Sequence, residues 1–428
     1  MTQSNSNDIS TTIVIFGASG DLTERKLIPA LFNLYRKGRL PKICRIVGVA
    51  RTPETDDHFR QRARAGVDQF ADYKFTDDEW NAFAPQLIYH TGDFVRDGEE
   101  HRLAAALKEM EDGTSHRLYY LATPPQFFMG IAAALGRAGM TDEAEGFRRV
   151  IIEKPFGTDL PSANELTTAL HRVLREQQIY RIDHYLGKET VQNVLVFRFA
   201  NGIFEPVWNR NYIDHVQISV LEQVGVGHRA GYYDGVGVVR DMFQNHILAL
   251  LALVAMEPPT SFNATALRNE RAKLLSAVRP IALTDTVRGQ YKGYLAEEGV
   301  KPNSATATYA ALRLFIDNWR WQDVPFYLRS GKTLKEKRSE ILIQFKQPPH
   351  RMFPAPSRDS ITANLLAICL QPDEGIHLRF DAKVPDTVAE MRAVDMDFNY
   401  EESFGARSIP EAYERLLLDA LNGDASLF

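Results

Sequence analysis

The first 180 residues alternate short apolar runs with segments of helical spacing, and this alternation restricts the possible folds more than any other feature. Runs of strand length fall at Thr12–Phe16, Ile46–Ala50, Leu87–Thr91, Leu118–Ala122, Val150–Glu153 and Ile179–Ile182. Between them lie helical patterns. One holds Leu27, Ile28, Leu31, Leu34 and Tyr35 and stops at Gly38; others cover 99–110 and 162–174. A chain that repeats strand, helix, strand lays its strands parallel, because each connection crosses over the sheet. Residues 1–180 are therefore expected to form an α/β domain, a doubly wound parallel sheet of Rossmann type covered on both faces. Pro29 interrupts the first helical pattern and should kink the helix or mark a restart.

After Tyr212 the pattern changes. Val216–Leu221, Thr308–Phe315, Glu340–Phe345, Leu366–Leu370 and Val394–Tyr400 read as longer strands, with no regular helix between them. Two helices are expected near Val238–Met256 and Ala264–Ala277. The segment Val394–Tyr400 alternates strictly, as a strand with one wet face does. Residues 181–428 are expected to be an α+β domain: a large, mostly antiparallel sheet with helices packed on one face. Lys346–Arg358 is rich in proline and reads as a surface loop.

Charge and cysteine content remove several function classes. Net charge is −5, from 50 Lys and Arg against 55 Asp and Glu, which provides no global basic field for nucleic acid. Any anion must be held by a local constellation. Cys44 and Cys369 are too few for a disulfide framework or a four-cysteine metal site; no metal is expected, and a reducing cytoplasm is. The longest apolar run, Ile247–Met256, falls short of the roughly 20 residues needed to span a membrane, and no signal peptide is visible.

The first strand runs into Gly17, Ala18, Ser19, Gly20, Asp21 and Leu22, followed by a helical pattern. Such a turn sets phosphates on free N–H groups at a helix start, with close backbone approach where glycine has no side chain. GASGDL departs from the common GxGxxG, and two glycines after a strand often make only a turn. Its place in the first βαβ unit favours a nucleotide. The second strand ends at Arg51, where sites preferring NAD usually carry an acid. An arginine there suits the 2′-phosphate of NADP, unless it is merely a surface charge.

Two later segments are more specific: EKPFG at Glu153–Gly157 and YRIDHYLGKE at Tyr180–Glu189. His184, Tyr185 and Lys188 offer a ring N–H, a phenol and an ammonium within five positions, and Val191, Val194 and Leu195 say that a helix begins near Gly187. Its positive end and Lys188 would together cradle a phosphate. The plain alternative is a solvated loop. His246 heads the apolar run, where a histidine more often packs in a core.

In these segments the chain resembles the glucose-6-phosphate dehydrogenase family. RDMFQNH at Arg240–His246 is similar to its catalytic helix, and Phe199–Phe204, Trp208–Arg210 and Val324–Lys332 also match. The resemblance, from about residue 13 to the end, implies oxidation of glucose 6-phosphate to 6-phosphogluconolactone with NADP, in the oxidative pentose phosphate pathway. It implies that His246 is the general base and Asp183 the carboxylate that orients it. Lys154 falls on a residue between cofactor and substrate; Glu222 and Asp241 fall on sugar-hydroxyl contacts; Lys332, Lys337 and, more loosely, Gln371 fall on further substrate contacts. A homodimer or homotetramer is implied, with no nucleic acid or membrane partner.

The resemblance has departures. Many members hold a second, structural NADP in the sheet domain. Arg329 and Arg338 keep two of its positions and Arg379 lies nearby in sequence, but Leu342 and Cys369 stand where cations are expected. The family also continues with further helix and tail where this sequence stops at Phe428. Two alternatives stay open: a dehydrogenase of non-phosphorylated sugars, of the glucose–fructose oxidoreductase type, and a non-catalytic nucleotide- or sugar-phosphate-binding protein.

Overall fold

A computed structural model describes residues 9–94, 96, 98–111, 113–350, 362–388, 390–405 and 409–428. The second half of the proline-rich stretch 346–358 lies outside the described residues. The chain divides into two compact units, Met1–Gly187 with Glu411–Phe428, and Lys188–Pro410.

The first unit contains six parallel strands: β1 (Ser10–Phe16), β2 (Cys44–Ala50), β3 (Leu87–Thr91), β4 (Ser115–Leu121), β5 (Arg148–Ile152) and β6 (Ile179–Arg181). Their order is β3-β2-β1-β4-β5-β6, the Rossmann order. It reverses direction between β1 and β4, which leaves a crevice at the strand ends there. Ile13–Phe16, Leu118–Leu121 and Val150–Ile152 are all at most 2% exposed, because helices cover both faces. Pro29 marks a restart, one of the two outcomes expected of it. A π-helical turn, Thr23–Leu27, precedes the α-helix Ile28–Arg36, so the proline stands in the α-helix's first turn, where no N–H is needed.

The boundary expected at residue 180 lies at Gly187, and the end of the chain corrects the expectation further: Glu411–Phe428 belongs to the first unit, not the second. The helix Ala412–Asn422 has a buried face of Leu416, Leu417 and Ala420. Glu414 on that helix accepts from Asn33 at 2.5 Å and pairs with Lys37 at 2.6 Å. Amphipathic spacing announces such a face but not the surface that will cover it.

The second unit is built on an eight-stranded sheet: β7 (Ile213–Leu221), β8 (Thr286–Gly289), β9 (Tyr309–Leu314), β10 (Phe326–Gly331), β11 (Arg338–Phe345), β12 (Leu365–Gln371), β13 (Gly375–Lys383) and β14 (Met391–Asn399). The order is β14-β13-β12-β11-β7-β10-β9-β8. Every pair is antiparallel except β7 with β10. Strands β8, β10 and β13 add to the five expected; β8 is only four residues long, whereas β10 (Phe326, Leu328) and β13 (Ile376, Leu378, Phe380) alternate apolar with polar residues and could have been found by that signal. One face buries Val216, Ile218, Val220, Phe326, Leu328, Ile341, Ile343, Leu366 and Ile368 against helices that include Glu189–Phe199 and Val239–Ile247. β14 alternates less cleanly than expected. Val394 and Phe398 are half-buried, but Met396 between them is 61% exposed.

Candidate active site

In the first unit β1 delivers the chain into a turn at Gly17. Its φ is +92°, and a Cβ there would lie 2.5 Å from the carbonyl oxygen of Ala122, so only glycine fits. The Gly20 N–H closes the turn on Gly17 O at 2.9 Å. Beside it lies a cavity of about 230 Å3, lined by Gly17, Ser19, Gly20, Arg51, Thr52 and Thr123 among others. Arg51 thus stands at the same cavity as the glycine turn, exposed and without an ion pair among the described residues. Ala18, Asp21 and Leu22 do not line it. Ala18 is fully buried, and Asp21 faces solvent, where it pairs with Arg25 at 3.4 Å. Sequence reading missed Arg62, which donates to Ala18 O at 3.0 Å and pairs with Glu54 at 2.9 Å, fastening the turn from the neighbouring helix.

The residues fit a dinucleotide on two counts. The glycine turn itself lines the cavity, with Gly17, Ser19 and Gly20 all at its wall. In addition, the buried Thr123 Oγ1 has no hydrogen-bond partner among the described residues, although it lines the cavity.

At the end of β5 Glu153 is half-buried. Its Oε1 accepts from Tyr120 Oη at 2.6 Å and from Tyr413 Oη at 3.2 Å. Burial raises its pKa, and the two phenols and Lys154 only partly offset that. Lys154 follows, half-buried, before a cis peptide bond to Pro155. After β6, the Ile182 N–H continues the sheet pairing onto Ile152 O at 3.0 Å. Asp183 then accepts from the Tyr185 N–H at 2.9 Å, the local turn that sets this loop. His184 is half-buried, its ring parallel to that of Tyr413 at 6.4 Å, and Tyr185 is 8% exposed. Gly187 allows a close approach, since a Cβ would lie 2.7 Å from Ala412 O.

In the second unit Lys188 is the cap residue of the helix Glu189–Phe199, so the helix starts where the sequence placed it, with its N–H groups beside that lysine. His246 is 1% exposed. The segment that carries it, Val239–Ile247, is π-helical, a geometry the apolar spacing did not announce. Its i→i+5 bonding sets Asp241 and His246 about one turn apart on one side of the helix. Glu222 and Lys332 follow directly on β7 and β10, the sheet's parallel pair, in which Leu221 is level with Gly331. Parallel ends bring the two side by side. Lys332 Nζ meets Glu222 Oε2 at 2.6 Å and lies 5.3 Å from the centre of the Tyr233 ring.

Lys337 stands exposed before β11, with no ion pair among the described residues. Gln371 is placed elsewhere, in a cavity of about 440 Å3 with Arg338, Glu340, Leu342, Cys369 and Arg379. The cations there are engaged. Arg338 pairs with Glu340 at 3.3 Å, Arg379 with Asp395 at 2.8 Å, and Arg329 lies 3.9 Å from Glu340.

Comparisons bear on both units. The family model "Glucose-6-phosphate dehydrogenase, NAD binding domain" matches residues 14–193, and "Glucose-6-phosphate dehydrogenase, C-terminal domain" matches 195–428. The glucose-6-phosphate 1-dehydrogenase of Aggregatibacter actinomycetemcomitans is 48% identical, over 97% of this chain and 86% of that one. The Bacillus subtilis protein of the same name is 43% identical, over 97% and 87%. A solved glucose-6-phosphate dehydrogenase in complex with its substrate glucose-6-phosphate superposes with a TM-score of 0.91 at 40% identity, over 98% of this chain and 88% of that one. A levoglucosan dehydrogenase shares the fold alone, at 11% identity and a TM-score of 0.51, over 97% and 89%.

Proposed function

The chain belongs to the glucose-6-phosphate dehydrogenase family, and from that premise we propose how its own residues carry out the reaction. It oxidises glucose 6-phosphate to 6-phosphogluconolactone, the first step of the oxidative pentose phosphate pathway. A nicotinamide dinucleotide supplies the hydride acceptor when bound. Gly17, Ser19 and Gly20 receive its pyrophosphate, and Arg51 at the same cavity favours the 2′-phosphate of NADP.

The substrate's phosphate is held by His184, Tyr185 and Lys188, the last at a helix start whose dipole favours an anion. Glu222 and Asp241 accept from sugar hydroxyls, and Lys332 and Lys337 donate. In the free enzyme Lys332 is already aimed by its ion pair with Glu222. His246 takes the hydroxyl proton as hydride leaves the adjacent carbon, the general-base role in which an imidazole is most often found. Asp183 is the carboxylate assigned to orient that imidazole, and Lys154 serves the reacting hydroxyl. Cys44 and Cys369 are both free thiols, which supports a reducing, cytoplasmic location.

The observation that carries the reading is the match of both halves to the family, over 14–193 and 195–428. The test follows reduced-nicotinamide absorbance with glucose 6-phosphate, free glucose or no sugar, each with NADP and with NAD. Reduction of NADP that requires glucose 6-phosphate is expected. Equal rates with free glucose would return the phosphate contacts to open question.

A further inference from the structure

Glu153 is a half-buried acid that no step above uses. It is the last residue before Lys154, at the C-terminal end of β5. A carboxylate in such a place needs donors, and three are supplied. Tyr120 Oη and Tyr413 Oη both donate to Oε1, at 2.6 and 3.2 Å, and the backbone N–H of Lys154 donates to the same carboxyl group. The two phenols come from distant parts of the chain. Tyr120 lies on β4 and is fully buried, whereas Tyr413 lies on the helix Ala412–Asn422 that returns at the end of the sequence.

Tyr413 reaches further within the first unit. Its ring lies parallel to that of His184 at 6.4 Å, and burial, then Glu153, Glu411 and last Asp183 raise its pKa. One phenol therefore touches Glu153 and neighbours both Asp183 and His184. A surface helix docked only for stability has no need of a buried hydroxyl at that point. An apolar residue would pack there without the cost of desolvating an O–H.

We propose that Glu153 is a positioning residue: held by Tyr120 and Tyr413, it fixes the peptide that carries Lys154, and through Tyr413 it ties Lys154 to the Asp183–His184 loop. This rests on the assignment of Lys154 to the reacting hydroxyl. Small displacements of an aligned group are costly, with a shift of about 1 Å worth roughly a hundredfold in rate. Glu153→Gln keeps an Oε1 acceptor for both phenols, whereas Glu153→Ala removes it.

The experiment measures kcat, both KM values and thermal midpoints for Glu153→Ala, Glu153→Gln, Tyr413→Phe, the Glu153→Ala/Tyr413→Phe double variant and Lys154→Ala. In Glu153→Ala, kcat should fall on the order of 10²-fold with an unchanged KM for NADP. Glu153→Gln should recover most of that loss. Tyr413→Phe, which deletes one hydroxyl and keeps the ring, should lower the midpoint only by the few degrees one hydrogen bond is worth, yet lower kcat about tenfold in the still-folded enzyme. The double variant should be no worse than Glu153→Ala, since both act through one contact. Should Glu153→Ala fail to fold, Tyr413→Phe decides alone. Wild-type kcat in Tyr413→Phe, or losses that simply multiply in the double variant, would overturn the proposal. If Lys154→Ala is fully active, the assignment of Lys154 fails and the proposal falls with it. If Lys154→Ala is dead while Glu153→Ala and Tyr413→Phe are normal, only the positioning role fails.

Discussion

His246 shows how little a single residue's surroundings say about its chemistry. It is 1% exposed at the head of an apolar helix, which describes many core histidines equally well. Its assignment as base came from the segment Arg240–His246 as a whole. His246→Asn should leave both KM values near wild type and lower kcat by about 10²–10⁴-fold, since a base acts in the transition state. Steady-state kinetics at saturating substrates checks this, and Asp183→Asn should be comparably severe. Arg51 was legible because its position, at the end of the second strand, has a fixed relation to the glycine turn. Both line one cavity. Arg51→Ala should raise the KM for NADP roughly 10- to 100-fold, the equivalent of one lost charged hydrogen bond at about 1.5–3 kcal/mol, and leave that for NAD within about twofold. Equal changes for both cofactors would make Arg51 a surface charge.

Among the elements, the strands of the first unit were readable because each has one environment, whereas the helices Asp56–Phe70, Asp77–Phe83 and Phe128–Arg137 were not anticipated. A strand covered on both faces is a continuous apolar run, and Ile13–Phe16 is one. The π-helical turns were not readable, because 3.6-residue spacing tolerates one wide turn without changing which residues face inward. Glu111 was also hidden. It lies beyond the helix Glu99–Met110 and accepts from Thr12 on β1 at 2.7 Å, and from Ser115 and Arg117 on β4 at 2.6 Å each. Burial pushes its pKa up, but the hydrogen bonds from Arg117, Ser115 and Thr12 outweigh that and hold it below the usual glutamate value. The folded pKa thus lies below the unfolded one, about 4.3. The ionised group therefore stabilises the fold above that pH, and its contribution is lost as pH falls through the folded value. Urea midpoints of the wild type should drop as the pH is taken below about 4, through the lowered folded pKa. Glu111→Gln should cost about 3–5 kcal/mol at neutral pH and show a smaller acid-dependent drop.

For the whole molecule, the open question is what covers the second sheet. Its helix-free face presents Val287, 64% exposed, and Tyr327, 41% exposed. We expect that face to be closed by a second copy in an isologous homodimer, or in a dimer of dimers. Sedimentation at micromolar concentration checks this, and a persistent monomer would contradict it. The same face holds the cavity with Arg338 and Arg379. A second NADP there would need free cations, yet Leu342 and Cys369 offer none, and both arginines are paired with carboxylates. Calorimetric titration with NADP in the absence of sugar should give one tight site per chain, and a second tight site would refute this.

The sequence by itself determined the order of elements and the local cradles. The parallel sheet, the glycine turn, Arg51, and the helix start beside Lys188 all depend on residues a few positions apart, whose spacing is visible in one dimension. Tertiary structure decided what depends on distant segments meeting. The helix at 412–422 belongs with residues 1–187 because its apolar stripe and Glu414 find Asn33 and Lys37, nearly 400 positions earlier. Glu222 meets Lys332 only because β7 and β10 run parallel with level ends. Tyr120, on the central strand β4, and Tyr413, on the helix at 412–422, converge on Glu153. Periodicity shows that a residue has an inward face but does not identify its neighbour, because that is chosen by the closure of the chain over hundreds of residues.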